Sequence, residues 1–455
     1  MAHPPDTIAA LATPAGTAAL AVIRITGPDA AGLARELAGS PPPARSARHR
    51  EYRDRRRTIL DDVLLTFFPE PHSSTGENVL EISCHGNPFI AQRILEDLFA
   101  RGCRPAEPGE FTRRAFLNGK IDLSQAEAVM DLISARSERA LAAAHRQLRG
   151  SLGRHLAPLV SDLMASVATV EAYIDFPEED LPGENREALR NTIASVRTGA
   201  RQLLATRHYG DLLRDGIRTV IVGEPNAGKS SLLNRLLGKD RAIVSPEPGT
   251  TRDFIEERAI VGPHCLRLID TAGLNPLPGA VERLGIEKAR GCIDEADIII
   301  LVLDATRPTP PADPAVAGRL TAERTIVALN KIDLLPGSGG TGGDAKAPQG
   351  LAMVRVSALS GAGIDALKAE LVRRADGFQP GSGEDAVAIN ARHAHALATA
   401  DECLGQALEK LAVNAPPELL ASDLRSALNG LGEISGKIDN EQVLDRLFSA
   451  FCIGK

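Results

Sequence analysis

Five short motifs stand in one fixed order between Gly223 and Ala358, with short apolar runs between them. The motifs are Gly223-Glu-Pro-Asn-Ala-Gly-Lys-Ser230, Gly249-Thr-Thr251, Asp270-Thr-Ala-Gly273, Asn330-Lys-Ile-Asp333 and Ser357-Ala358. The apolar runs cover 220–222, 266–269, 298–303, 325–329 and 353–356, each the length of one strand. Strands alternating with helical stretches pair in parallel through right-handed crossovers. A surface loop can contain Gly-Lys by accident, so the first motif alone is weak. The ordered set of five is strong.

Each motif has a chemical reading. A glycine-bounded loop at a helix N-terminus turns its amides toward phosphate, and Lys229 adds charge at the β- and γ-phosphates. Asn226, Ala227, Gly228, Ser230 and Ser231 complete that cradle, with the Ser230 hydroxyl on Mg²⁺. Gly249, Thr250 and Thr251 form a switch loop that completes the metal shell, Thr251 ahead of Thr250. Asp270 reaches the metal through water, and within the stretch Thr271, Ala272 and Gly273 the Gly273 amide senses the γ-phosphate. Asp333 accepts from guanine N1–H and the exocyclic amine, which adenine does not present. Asn330, Lys331, Ser357 and Ala358 address the rest of the base, so ATP is rejected by unpaired polar groups. The chain therefore binds GTP, and the motif set is that of a GTP hydrolase.

Position 274 departs from that pattern. Many small GTPases put a glutamine directly after the Asp-x-x-Gly glycine to orient the attacking water. Leu274 cannot do this. Glu282, a few residues downstream, is the candidate, and a solvated helix carboxylate is the plainer reading.

A chain of 455 residues is too long for one core and implies two to four domains. The net charge of −7 argues against coating nucleic acid by charge alone. Six cysteines without C-x-x-C pairing fit neither a disulfide framework nor a zinc site, and fit a reducing cytoplasm. No apolar run approaches a membrane span, and the first residues have no signal-sequence pattern.

Strand patterns at 21–26, 63–68 and 79–83 make residues 1–119 an α+β domain. Ser124-Gln-Ala-Glu127 has the form of a capping box, and helical periodicity runs from there to about Tyr173. It resumes from Arg186 to about Arg214, so 120–215 is helical. Residues 216–378 are the nucleotide module, with a Gly-rich loop over 337–350, and 379–455 is helical again and acidic. The module reads as an insertion between helices that pack together. Seven arginines (45, 48, 50, 53, 55, 56 and 57) could hold RNA phosphates or form a solvated face equally well.

The chain resembles the MnmE (TrmE) family of tRNA-modification GTPases nearly end to end. The resemblance rests on Asp6-Thr-Ile-Ala-Ala10, Ser74-Thr-Gly-Glu-Asn78, the stretch from Arg104 to Asn118, Asp122-Leu-Ser-Gln-Ala-Glu127, Ile174-Asp-Phe-Pro-Glu-Glu179 and Cys452-Ile-Gly-Lys455. It implies a multidomain α+β and α/β chain. An N-terminal folate-binding-like domain and a central helical domain carry an inserted P-loop GTPase with a Ras-like sheet.

The resemblance also implies K⁺ held by Asn226, Ser245, Glu247 and Thr250, and water oriented by Glu282. It implies a one-carbon folate such as 5-formyltetrahydrofolate at Arg24, Glu81, Lys120 and Lys455. It implies a homodimer and work on tRNA with the flavoprotein MnmG, which brings FAD since this chain has no flavin fingerprint. The product is an aminomethyl or carboxymethylaminomethyl group on carbon 5 of the wobble uridine. Cys452 matches a cysteine suspected of a catalytic part; a buried structural thiol is the alternative, and Gly-Lys suits a prenylation box badly.

Three positions depart from the family pattern. Pro14-Ala-Gly-Thr-Ala-Ala19 lacks the usual arginine and paired glycines, Ser74 replaces a common tyrosine, and Asn87 a common glycine. A ribosome-assembly GTPase that docks on RNA is the competing class, as is a folate-binding scaffold with a vestigial GTPase. The acidic end and the complete motif set count against them.

Overall fold

The computed structural model describes residues 6–40, 43–175, 183–238, 255–270, 291–308, 318–335, 350–380, 387–436, 444, 447–449 and 451–454. The chain opens with β1 (Ile8–Leu11), β2 (Leu20–Thr26), α1 (Ala30–Ala38), β3 (Arg48–Arg53), β4 (Ile59–Phe68), β5 (Val79–His85), α2 (Pro88–Ala100) and β6 (Arg104–Pro105). Helices follow: α3 (Glu110–Leu117), α4 (Leu123–Ser134), α5 (Glu138–Leu148), α6 (Ser151–Asp175), α7 (Gly183–Leu204) and α8 (Arg207–Asp215). Next come β7 (Ile217–Gly223), α9 (Lys229–Leu237), β8 (Ile255–Val261), β9 (His264–Asp270), β10 (Ile298–Asp304), β11 (Thr325–Asn330) and β12 (Ala352–Arg355). The remaining helices are α10 (Ile364–Asp376), α11 (Ala391–Ala412) and α12 (Pro417–Ser435).

The chain divides into two compact units. One comprises Met1–Met130, Leu148–Pro177 and Pro417–Lys455, the other Asp131–Gln147 and Glu178–Pro416.

In the first unit a sheet of order β3-β4-β5-β2-β1-β6 buries one face under α1 and α2. Ile23, Ile25, Leu80, Ile82, Leu65 and Leu98 fill that core, each worth about 1.5–3 kcal/mol on burial. The arginine stretch forms part of this sheet: β3 pairs antiparallel with β4 as its edge strand. Charged residues there discourage pairing with another chain. Behind the sheet, Arg104 and Arg114 bind Asp6 and Glu110 in one ion network. Both carboxyls lie below their ordinary range; burial pushes them up, and the arginine hydrogen bonds outweigh it. Residues 444, 447–449 and 451–454 return to this unit. Phe448 and Phe451 pack with Leu123 and Ala126, and Ile453 bridges to Pro108. Gly109, at φ 68°, makes room for them, since a Cβ there would lie 2.8 Å from Phe448 O.

The capping box lies two residues earlier than expected. Asp122 Oδ1 accepts from Gln125 N at 2.8 Å, and Gln125 Oε1 accepts from Asp122 N at 2.9 Å. Ser124 sits inside the first turn, buried, donating to Asp122. The long helical periodicity is likewise three helices, not one. Ser137 caps α5, accepting from Ala140 N, and Gly150 at φ 79° separates α5 from α6.

Among the described residues α6 is long and apolar enough, by length and composition alone, to cross a membrane. Arg154, Asp162 and Glu171 interrupt it, so it contains no unbroken apolar run of spanning length. The helix packs along α12 and carries Glu171, which pairs with Arg425.

In the second unit the sheet order is β12-β11-β10-β7-β9-β8. All neighbours are parallel except β8, which forms an antiparallel hairpin with β9. This is the expected Ras-like parallel sheet, with an added antiparallel edge strand. Ile221, Leu268, Ile300, Ile326, Leu367 and Leu371 are fully buried within it. In this unit α7, from before the module, runs along α11, from after it.

Candidate nucleotide site

The carboxyl ends of β7, β9, β10 and β11 converge on one edge of the parallel sheet, where an α/β fold places its ligand. β7 ends at Gly223, whose missing Cβ would stand 2.3 Å from Val302 O. Asn226 follows at φ 64°, a left-handed conformation that asparagine tolerates better than most residues. Gly228 at φ 97° leaves room for Asn330, whose Nδ2 would lie 2.2 Å from any Cβ. The loop then enters α9, and its first-turn amides are the orphan donors of a helix start.

Lys229 is buried where α9 begins, and its Nζ donates to Gly223 O at 2.9 Å and Glu224 O at 2.8 Å. Burial lowers its pKa, and Asp270 acts the other way. An ammonium held this way is ready for a phosphate. Ser230 Oγ donates to Asp270 Oδ2 at 2.8 Å, so the residue read as a Mg²⁺ ligand and the one read to reach the metal through water lie side by side. They supply the hard oxygens that Mg²⁺ prefers.

Beside this cradle is a cavity of about 440 Å³, lined by Gly228, Asn330, Lys331, Asp333, Ala358 and Leu359 among others. Asp333 is exposed there, as is Ser231. Asn330 is buried and spans the site: its Nδ2 donates to Ala227 O at 2.8 Å, and Ala358 N donates to its Oδ1 at 2.9 Å. Its amide thus joins the phosphate loop to the base loop, where the sequence reading turns it toward the base. Ser357 is fully buried, with its hydroxyl accepting from Ser360 N.

Lys331, at φ 65°, donates to Asp304 Oδ2 at 2.7 Å. Burial raises the Asp304 pKa, but hydrogen bonds from Lys331 and Thr306 overcome it and hold the carboxyl at about 2. Sequence reading missed Asp304; its place at the end of β10, level with Asn330 across the sheet, was the available signal.

Gly249, Thr250, Thr251, Ser245, Glu247, Thr271, Ala272, Gly273, Leu274, Glu282 and Lys455 lie outside the described residues. So does most of the Gly-rich loop.

In the first unit Arg24 and Glu81 face each other across β2 and β5, and both Arg24 Nε and Nη2 donate to Glu81 Oε1. The expected cation and carboxylate thus meet as an ion pair. Arg24 lies 5.9 Å from the Phe111 ring, a neighbour the sequence did not point to. Lys120 is tied elsewhere, donating to Pro71 O at 3.0 Å. Cys452 is exposed, which removes the buried-thiol alternative, and its carbonyl accepts from Gly109 N.

A phosphate cradle and an adjoining cavity joined by one asparagine, at the end of a parallel sheet, define a P-loop GTPase. Residues 123–452 match the family model described as the MnmE helical domain, and residues 7–120 match the GTP-binding protein TrmE N-terminus. A tRNA modification GTPase MnmE of Opitutus terrae is 57% identical, covering 99% of both chains. That of Akkermansia muciniphila is 44% identical over the full length of both. Among solved structures, the Era protein of Aquifex aeolicus is 28% identical with a TM-score of 0.27, covering 41% of this chain and 65% of that one. The chain belongs to the MnmE family of tRNA modification GTPases: it hydrolyses GTP, with Mg²⁺, in tRNA modification.

Proposed function

We propose that this GTPase is stimulated by K⁺ and works as a homodimer with the flavoprotein MnmG, which contributes FAD. The two would place an aminomethyl or carboxymethylaminomethyl group on carbon 5 of the tRNA wobble uridine, in the cytoplasm. The meeting of Lys229, Ser230 and Asp270 beside the Asn330 cavity carries the GTPase part of this reading. Membership of the family supports the rest.

Residues 1–119 would dimerise and hold a one-carbon folate such as 5-formyltetrahydrofolate at Arg24, Glu81, Lys120 and Lys455. Residues 120–215 and 379–455 would form the helical domain that carries the GTPase module, 216–378.

Asn226 is exposed in the cradle, and its amide oxygen is the kind of donor K⁺ accepts. Ser245, Glu247 and Thr250 would complete that site. Bound there, the cation supplies positive charge where charge develops on the phosphates. Ser230, Asp270 and Thr251 serve Mg²⁺, Lys229 holds the β- and γ-phosphates, and Glu282 orients the attacking water in place of the glutamine that Leu274 displaces. Asp333 selects guanine.

Hydrolysis measured in K⁺ and in Na⁺ buffers tests the cation, and equal rates refute it. Nucleoside analysis of tRNA from a strain lacking the gene tests the modification. Unchanged wobble uridines there would favour an RNA-docking switch instead.

A further inference from the structure

Arg235 lies on α9, between one and two turns past Lys229, and takes no part in the five motifs. Its Nε donates to Ala358 O at 3.2 Å and its Nη2 to Leu359 O. The guanidinium also lies against Gly361, where a Cβ would be 3.4 Å from Cζ and Nη2. Gly361 sits at φ 91°, so glycine both allows the turn and leaves room for the arginine.

The fork geometry is the informative part. An arginine serving only solubility points its charge at water or a carboxylate. This one spends its fork on two successive carbonyls of a single loop, a match that lysine cannot make. Asn330 holds the same loop from the other side, through Ala358 N. The helix whose N-terminus cradles phosphate and the loop that walls the base cavity are therefore fastened at two points.

We propose that Arg235 is a positioning residue for guanine recognition. It sets the Leu359 amide, next along from the Ala358 N–H that donates to Asn330, against the 6-oxo side of the base. The inference rests on the guanine reading of this cavity. The 6-oxo group is common to guanine and hypoxanthine, while Asp333 addresses the 2-amine that only guanine has. Loss of the brace therefore weakens GTP and ITP by the same factor, and relaxes the exclusion of ATP, whose 6-amine would oppose that amide.

The test compares wild type, Arg235→Ala and Arg235→Lys in the full chain. Binding is read with a fluorescent GDP analogue, and steady-state kinetics with GTP, ITP and ATP. In Arg235→Ala, which removes both hydrogen bonds of the brace, Kd for GDP and KM for GTP and ITP rise about tenfold. The GTP-to-ITP ratio of kcat/KM stays constant, the GTP-to-ATP ratio shrinks, and kcat at saturation holds. Arg235→Lys keeps the charge without the fork and falls between, and it carries the comparison if the alanine variant does not fold. Unchanged Kd in the folded variants overturns the proposal, as does a fall in kcat with KM unmoved. Asp333→Asn is run alongside. A switch in preference from GTP to XTP upholds the guanine reading of the cavity, and its absence removes that reading independently of the brace.

Discussion

Ser230 Oγ and Asp270 Oδ2 are 2.8 Å apart, a hydrogen bond that joins the first turn of α9 to the last residue of β9. The two come from motifs 40 positions apart and are neighbours because β7 and β9 are adjacent parallel strands. Ser230→Ala and Asp270→Ala should each lower GTP hydrolysis on the order of a hundredfold or more. Chelation of Mg²⁺ should do the same to the wild type. An Asp270→Ala enzyme with wild-type turnover would remove this pair from the metal site.

Lys229 is a buried ammonium, satisfied by two carbonyls and disfavoured by burial. Replacing it with methionine removes a buried charge, so the nucleotide-free protein should melt no lower than wild type. Nucleotide should then no longer raise the melting temperature, whereas it does in the wild type. A calorimetric scan with and without GDP reads both effects. A marked loss of stability without nucleotide would show that the lysine is structural.

The network of Asp6, Glu110, Arg104 and Arg114 makes the first unit sensitive to acid. Both carboxyls have folded pKa values below their unfolded ones, so their contribution is complete above about pH 4–4.5. It is lost as pH falls through the lower folded values. Hydrogen exchange over residues 104–118 should quicken in that acid window. Arg114→Met, which leaves Asp6 and Glu110 to Arg104 alone, should destabilise the unit by about 1–2 kcal/mol at neutral pH. An acid titration unchanged by this substitution would count against the network.

Thiol reactivity should separate Cys452 from the core cysteines. Cys84 and Cys103 are buried, and burial pushes each thiol up to about 11. Native protein should therefore give up Cys452 first to a maleimide, with Cys84 and Cys103 labelled only on unfolding. Mass spectrometry of partly labelled protein checks the order. Loss of tRNA modification in Cys452→Ser with GTP hydrolysis intact would support its proposed catalytic part.

The parallel sheet was readable in advance because four of its five strands, β7, β9, β11 and β12, lead into a motif whose chemistry needs a strand's carboxyl end. β3 was not, since an edge strand rich in arginine lacks the alternation of a half-buried one. Two overlapping capping boxes stand at 122–127, and the structure uses Asp122 with Gln125 rather than Ser124 with Glu127. Burial decides between them: Ser124 and Glu127 both face inward. In the site, Lys229, Ser230, Asp270 and Asn330 were legible from their motifs and lie together among the described residues. Arg235 and Asp304 were not, because what they do depends on which loop lies opposite, and spacing does not encode that.

The seat at Gly109 ties one end of the chain's history to the other. Pro108 and Gly109 are closed over by Phe448, Phe451 and Ile453, with the entire GTPase module in between. During synthesis the first domain would therefore wait, its apolar seat open, until the ribosome has passed the nucleotide module. A stop codon placed just before residue 444 would leave the GTPase able to fold and the earliest-made domain unfinished.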